Sequence, residues 1–119
     1  MYRVKTYMYF SSAHNLRNYN GNCENLHGHN WKVEAILQGE RLDNIGMLVD
    51  FKILKKHLKQ ILDELDHKYL NDTEYFSKVN PTSENMAQYI YNRLKESFGD
   101  LVFKVIVWES ENAAAEYFE

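Results

Sequence analysis

Cysteine occurs once in these 119 residues, and neither sign of charge dominates, with 14 Lys and Arg against 17 Asp and Glu. No segment approaches the roughly 20 consecutive apolar residues of a membrane span. Each scarcity excludes something. A single cysteine cannot close an internal disulfide, which leaves Cys23 as a buried filler, a metal ligand or a reactive thiol. No membrane partner is expected. The first residues, Met1 to Lys5, lack the apolar run of a signal peptide, so the expected location is cytoplasmic. A net charge of −3 sets up no global field for nucleic acid, and none is expected as a partner. What remains is an ordinary globular composition, 45% hydrophobic and 26% charged, in a length that suits one domain over residues 1–119 with no linker. Nine tyrosines and six phenylalanines point to a broad association surface or a pocket for a flat ligand.

The densest chemistry lies in Cys23-Glu24-Asn25-Leu26-His27-Gly28-His29. Imidazoles at i and i+2 share a face when the backbone is extended, so His27 and His29 can grip one ion. Before this stretch, Tyr2 to His14 alternates as a strand, with Val4, Met8, Phe10 and His14 on its more apolar side. The asparagine-rich residues 15 to 26 read as a loop. After it, His29, Trp31, Val33, Ala35 and Leu37 alternate as a second strand. In an antiparallel pair, the end of one strand adjoins the start of the next. His14, His27 and His29 then converge, and three neutral imidazoles with one position open are the pattern of a catalytic zinc site. The competing reading is of structural, hydrogen-bonded histidines.

Further along, Asp50 is a candidate cap for a helix with Phe51, Leu54, Leu58, Ile61, Leu62 and Leu65 on one side, running out near Asp66-His67. Its lysines read as a solvated face. Asp66 and His67 are either a terminal polar pair or a proton-relaying pair. Thr82 or Ser83 caps a second helix, with Met86, Ile90, Leu94 and Phe98 buried and Gly99 ending it. Leu101 to Glu109 reads as a third strand, and residues 113 to 118 as a fourth. Glu109 is either a solvated strand terminus or a buried carboxylate facing N–H donors. The order ββααββ predicts an α+β fold, a four-stranded antiparallel sheet with two helices on one face.

Taken together, Ser12-Ala13-His14, Cys23 with His27-Gly28-His29, Gly46 to Phe51, Leu65-Asp66-His67, Pro81-Thr82-Ser83-Glu84 and Glu109 resemble the 6-pyruvoyl-tetrahydropterin synthase family. The likeness is strongest to its bacterial 6-carboxy-tetrahydropterin synthase branch and spans nearly the whole chain. It implies the T-fold of that family and zinc on His14, His27 and His29. It implies Cys23 as general base with Asp66 and His67 assisting, and Glu109 anchoring a pterin ring. It further implies a homohexamer built as a dimer of trimers, with active sites between subunits. The implied reaction converts 7,8-dihydroneopterin triphosphate to 6-carboxy-5,6,7,8-tetrahydropterin, acetaldehyde and triphosphate, on the route to queuosine. Two alternatives stand beside it. Glu24 is either a plain loop acid or a substrate-binding second base that reaches the zinc-bound side chain, which would give 6-hydroxymethyl-7,8-dihydropterin for the folate route and let the protein serve both pathways. A non-catalytic zinc or pterin-binding module would keep the histidines without needing Cys23, Asp66 or His67.

Overall fold

The computed structural model describes residues 1–21 and 24–119. Alternating side chains carry two long strands, β1 (Tyr2–His14) and β2 (His27–Gly39). Helices α1 (Phe51–Asp63) and α2 (Ser83–Phe98) follow, and then strands β3 (Val102–Ser110) and β4 (Ala113–Phe118). The sheet order is β1-β2-β3-β4, antiparallel throughout. The fold is the expected α+β arrangement with the elements in the order ββααββ.

One sheet face meets the helices. Phe10 from β1, Trp31, Val33, Ala35 and Leu37 from β2, and Val105 and Val107 from β3 form one core with Leu54, Leu58, Ile61 and Leu62 of α1 and Met86, Ala87, Ile90 and Leu94 of α2. The opposite face carries Tyr7 and Tyr9, both more than half exposed, and Lys32 lies over the Tyr7 ring. Because strand side chains alternate, the register decides which residues share the helix side. His14 pairs with His27 and Ser12 with His29, which puts all three site histidines on that side at one end of the sheet.

Both helices begin as their caps predict. The Asp50 carboxylate accepts from Lys52 N–H at 2.8 Å, and the Thr82 hydroxyl accepts from Asn85 N–H at 3.1 Å. Gly99, with φ of 56°, ends α2 in a backbone conformation that glycine adopts without a Cβ clash. Helix α1 stops at Asp63, short of the predicted Asp66-His67. The chain leaves the helix because it is needed elsewhere: His67 N–H donates to Ser11 O at 2.6 Å, and Ala13 N–H to Lys68 O at 2.9 Å. Residues 66–69 thereby cover the outer edge of β1 at its end, around Ser11 to Ala13. Phe51, predicted on the apolar side of α1, is 57% exposed at the first turn.

The asparagine-rich loop is tied to the same region by paired amides. Asn71 accepts from Asn15 N–H and donates to Asn15 O, at 3.0 and 2.8 Å, and Asn80 makes the same double contact with Arg17 at 2.8 and 3.1 Å. These bonds satisfy loop backbone groups that no strand would otherwise pair.

Candidate metal centre

His14 ends β1, His27 opens β2, and His29 follows one pleat later. Trp31, fully buried, floors the cluster: its ring lies 4.9 Å from the His14 ring and 5.1 Å from the His29 ring, and Phe10 stacks beneath it at 5.1 Å. The three imidazoles stand 4.6 to 5.2 Å apart, centre to centre, in edge-to-face arrangements. His14 is buried, whereas His27 and His29 keep partly open side chains.

Hydrogen bonds settle which nitrogens carry protons. His14 Nδ1 lies 2.8 Å from Pro81 O, and His27 Nδ1 lies 2.8 Å from Asn25 O. A carbonyl oxygen only accepts, so both Nδ1 atoms donate. In the neutral ring the Nε2 atom then bears a lone pair, and these two Nε2 atoms face each other at 3.0 Å. Two lone pairs aimed at one point repel unless a cation lies between them. Burial is the main cause holding the His14 pKa below its ordinary value; the Pro81 hydrogen bond opposes it, and the neighbouring His27 and His29 add to it. Neutral imidazole is the form that binds metal.

A fourth donor joins them. Oε1 of Glu109 lies 3.2 Å from His29 Nε2, and donor atoms of His14, His27, His29 and Glu109 all fall within 4.8 Å of one another. The donor set of three imidazoles and one carboxylate fits a divalent metal ion. Glu109 reaches the cluster from the end of β3, and its Oε2 accepts a 3.3 Å hydrogen bond from the Ser83 hydroxyl at the start of α2.

The remaining predicted residues divide. Cys23 lies outside the described residues. Glu24 accepts from Leu16 N–H at 3.2 Å and stands 3.6 Å from His27 Nδ1, on the side of that ring away from Nε2. Asp66 and His67 are not among the four converging donors. Asp66 Oδ1 accepts from Ser11 N–H at 2.8 Å, and Oδ2 lies 3.0 Å from His67 Nδ1. The Ser11 hydrogen bond is the main cause holding the Asp66 carboxyl below its usual range; burial opposes it and His67 reinforces it. The His67 side chain is 81% exposed, on a left-handed backbone with φ of 55°. With Ser11, Ala13, Gly28, His29, Asn30 and Lys68 it borders an open cleft of about 510 Å³.

Sequence reasoning missed the groups that orient the converging donors: the carbonyls of Pro81 and Asn25, and the hydroxyl of Ser83. Backbone carbonyls leave no mark in a sequence. Ser83 had one, because a serine beside the cap of α2 offers its hydroxyl near the helix start.

Comparison with known proteins shows the family to which this sequence and fold are similar. The family model described as 6-pyruvoyl tetrahydropterin synthase matches residues 3–119. A 6-carboxy-5,6,7,8-tetrahydropterin synthase of Synechocystis is 37% identical over 114 residues, covering 92% of this chain and 87% of the relative. The 6-pyruvoyl tetrahydrobiopterin synthase of Homo sapiens is also 37% identical over 114 residues, covering 92% of this chain and 78% of its own. Identity therefore does not separate the two activities. The solved 6-pyruvoyl tetrahydropterin synthase of Caenorhabditis elegans superposes with a TM-score of 0.87 at 30% identity, covering 99% of this chain and 95% of that one.

Proposed function

The chain belongs to the 6-pyruvoyl tetrahydropterin synthase family, and from that premise we propose that it is a zinc-dependent 6-carboxy-tetrahydropterin synthase. Its substrate on this reading is 7,8-dihydroneopterin triphosphate, and its products are 6-carboxy-5,6,7,8-tetrahydropterin, acetaldehyde and triphosphate. The reaction is a carbon–carbon lysis on the route to queuosine in the cytoplasm. The observation that supports it most is the pair of lone-pair nitrogens, His14 Nε2 and His27 Nε2, facing each other at 3.0 Å while both Nδ1 atoms donate to carbonyls. Two neutral imidazoles aimed at each other in this way suit a shared cation, with the carbonyls on Nδ1 orienting both rings.

His14, His27 and His29 hold the zinc. When bound, zinc polarises the oxygens of the substrate side chain and acidifies the adjoining C–H groups. Glu109 accepts N–H groups of the pterin ring and so sets which part of the side chain meets the histidines. Cys23 takes up the proton, as a thiol whose pKa falls beside a cation is able to do. Asp66 holds His67, and His67 relays that proton. Its exposed imidazole at the chain's outer edge suits service to a neighbouring copy, in a homohexamer whose sites lie between subunits.

Glu24 does not favour the folate alternative. Its carboxylate is engaged with Leu16 N–H and lies on the Nδ1 side of His27, where it supports the ligand's orientation. The test is product identification after incubating the zinc-loaded protein with 7,8-dihydroneopterin triphosphate. The expected products are 6-carboxy-tetrahydropterin and acetaldehyde. A main product of 6-hydroxymethyl-dihydropterin would move the chain to the folate branch, and no turnover of any dihydropterin would leave a binding module.

A further inference from the structure

Glu109 stands where a fourth ligand belongs. Building on the metal-dependent reading above, we propose that the Glu109 carboxylate closes the metal centre while no substrate is bound, with Ser83 as the positioning residue that aims it.

The distances support this. Donors about 2.1 Å from a tetrahedral ion stand about 3.4 Å from one another. Two opposite edges of such a tetrahedron are close to that length, His14 Nε2 to His27 Nε2 at 3.0 Å and His29 Nε2 to Glu109 Oε1 at 3.2 Å. The second edge is informative because His29 Nε2 is buried and has no hydrogen-bond partner among the described residues. The ring therefore aims no N–H at the carboxylate, although the two atoms nearly touch. Two donors sharing an ion make that kind of contact.

The other carboxylate oxygen has its own holder. Ser83, 8% exposed at the first residue of α2, donates to Oε2 at 3.3 Å. One oxygen toward the metal and one toward a buried hydroxyl is the arrangement by which an outer group orients a ligand. The positive end of α2 favours the carboxylate there as well. A side chain 41% exposed also has room to swing away. Glu109 then has two alternating tasks. It completes the ligand set in the resting protein, and it accepts the ring N–H groups once a pterin side chain has taken its place.

The test uses the full chain loaded with Co²⁺ in place of zinc and without any pterin. Visible absorption reads the ligand set, and competition with a chromophoric chelator reads the affinity. Glu109→Gln is expected to alter the cobalt bands and to weaken Co²⁺ binding by about tenfold or more. Ser83→Ala is expected to weaken it by about tenfold, and Ser83→Thr, which keeps the hydroxyl, to restore it. A cobalt spectrum and affinity unchanged in Glu109→Gln would overturn the proposal. An unchanged affinity in Ser83→Ala would overturn the role of Ser83. Both readouts precede any reaction, so they stand apart from whether the protein turns over a dihydropterin. Failure of the unaltered chain to bind Co²⁺ would instead overturn the metal reading beneath the proposal.

Discussion

On the proposed reading His27 and Cys23, close together in sequence, have separable tasks. His27 presents a lone pair to the cluster, fixed there by the Asn25 carbonyl, so His27→Ala should lose zinc and turnover together. Cys23→Ala should keep zinc and lose turnover, because the thiol is assigned to proton transfer. Metal content and initial rate measured on both variants check this, and loss of zinc from Cys23→Ala would make the thiol a ligand. Asp66 shows a different dependence. Its carboxyl is held below its usual range, chiefly by the Ser11 N–H. A group whose folded pKa is lowered contributes stability above its unfolded pKa of about 3.9 and loses it as pH falls through the folded value. Asp66→Asn should therefore be less stable than the parent at neutral pH, with the gap closing below about pH 4. Urea unfolding at several pH values would reveal it, and a gap unchanged at acid pH would contradict the assignment. His67, next along, keeps a left-handed backbone that a non-glycine residue adopts at a cost of about 1 kcal/mol. The hydrogen bond from His67 N–H to Ser11 O offsets that cost and keeps an exposed imidazole at the edge of the cleft, where the proposed relay needs it.

The start of α2 joins stability to chemistry. Within three residues, Pro81 orients His14 through its carbonyl, Thr82 caps the helix, and Ser83 holds Glu109. Losing the cap in Thr82→Ala should cost about 1 kcal/mol of stability and also weaken zinc binding. Asp50→Ala removes the equivalent cap of α1, a helix that supplies none of the four converging donors, and should cost a similar amount while leaving zinc affinity alone. Equal zinc affinities in the two variants would contradict the link. Much of this level was readable from sequence. Period-two alternation located β1 and β2, and their phase put His14, His27 and His29 on one side. What could not be read is what depends on distant backbone. Helix α1 ends early because residues 66–69 pair with β1, some 55 positions away in sequence. Glu109 beside His29 needed the β2–β3 register, which no local pattern encodes.

The whole chain is long for its mass. Its radius of gyration is 15.2 Å, against about 13.5 Å for a compact domain of this length, and it extends 54 by 26 by 24 Å. Helices cover one face of the sheet, and the other carries exposed Tyr7 and Tyr9. In the described chain β1 and β4 are the two edges of the sheet, and residues 66–69 cover only the end of β1. Exposed edges of this length invite pairing with another chain. Pairing β4 of one copy with β1 of the next would close the sheets into a ring, consistent with the proposed trimers and hexamer. Sedimentation should give a mass of three or six chains, and a monomer at micromolar concentration would contradict it.

On the proposed reading the three histidines hold a metal that the reaction requires. Acetaldehyde release from 7,8-dihydroneopterin triphosphate, followed as zinc is titrated into metal-free protein, tests that directly. The rate should be negligible at the start, rise in proportion to added zinc and level off at about one ion per chain. Full activity in the metal-free protein, or a rate indifferent to zinc, would contradict it.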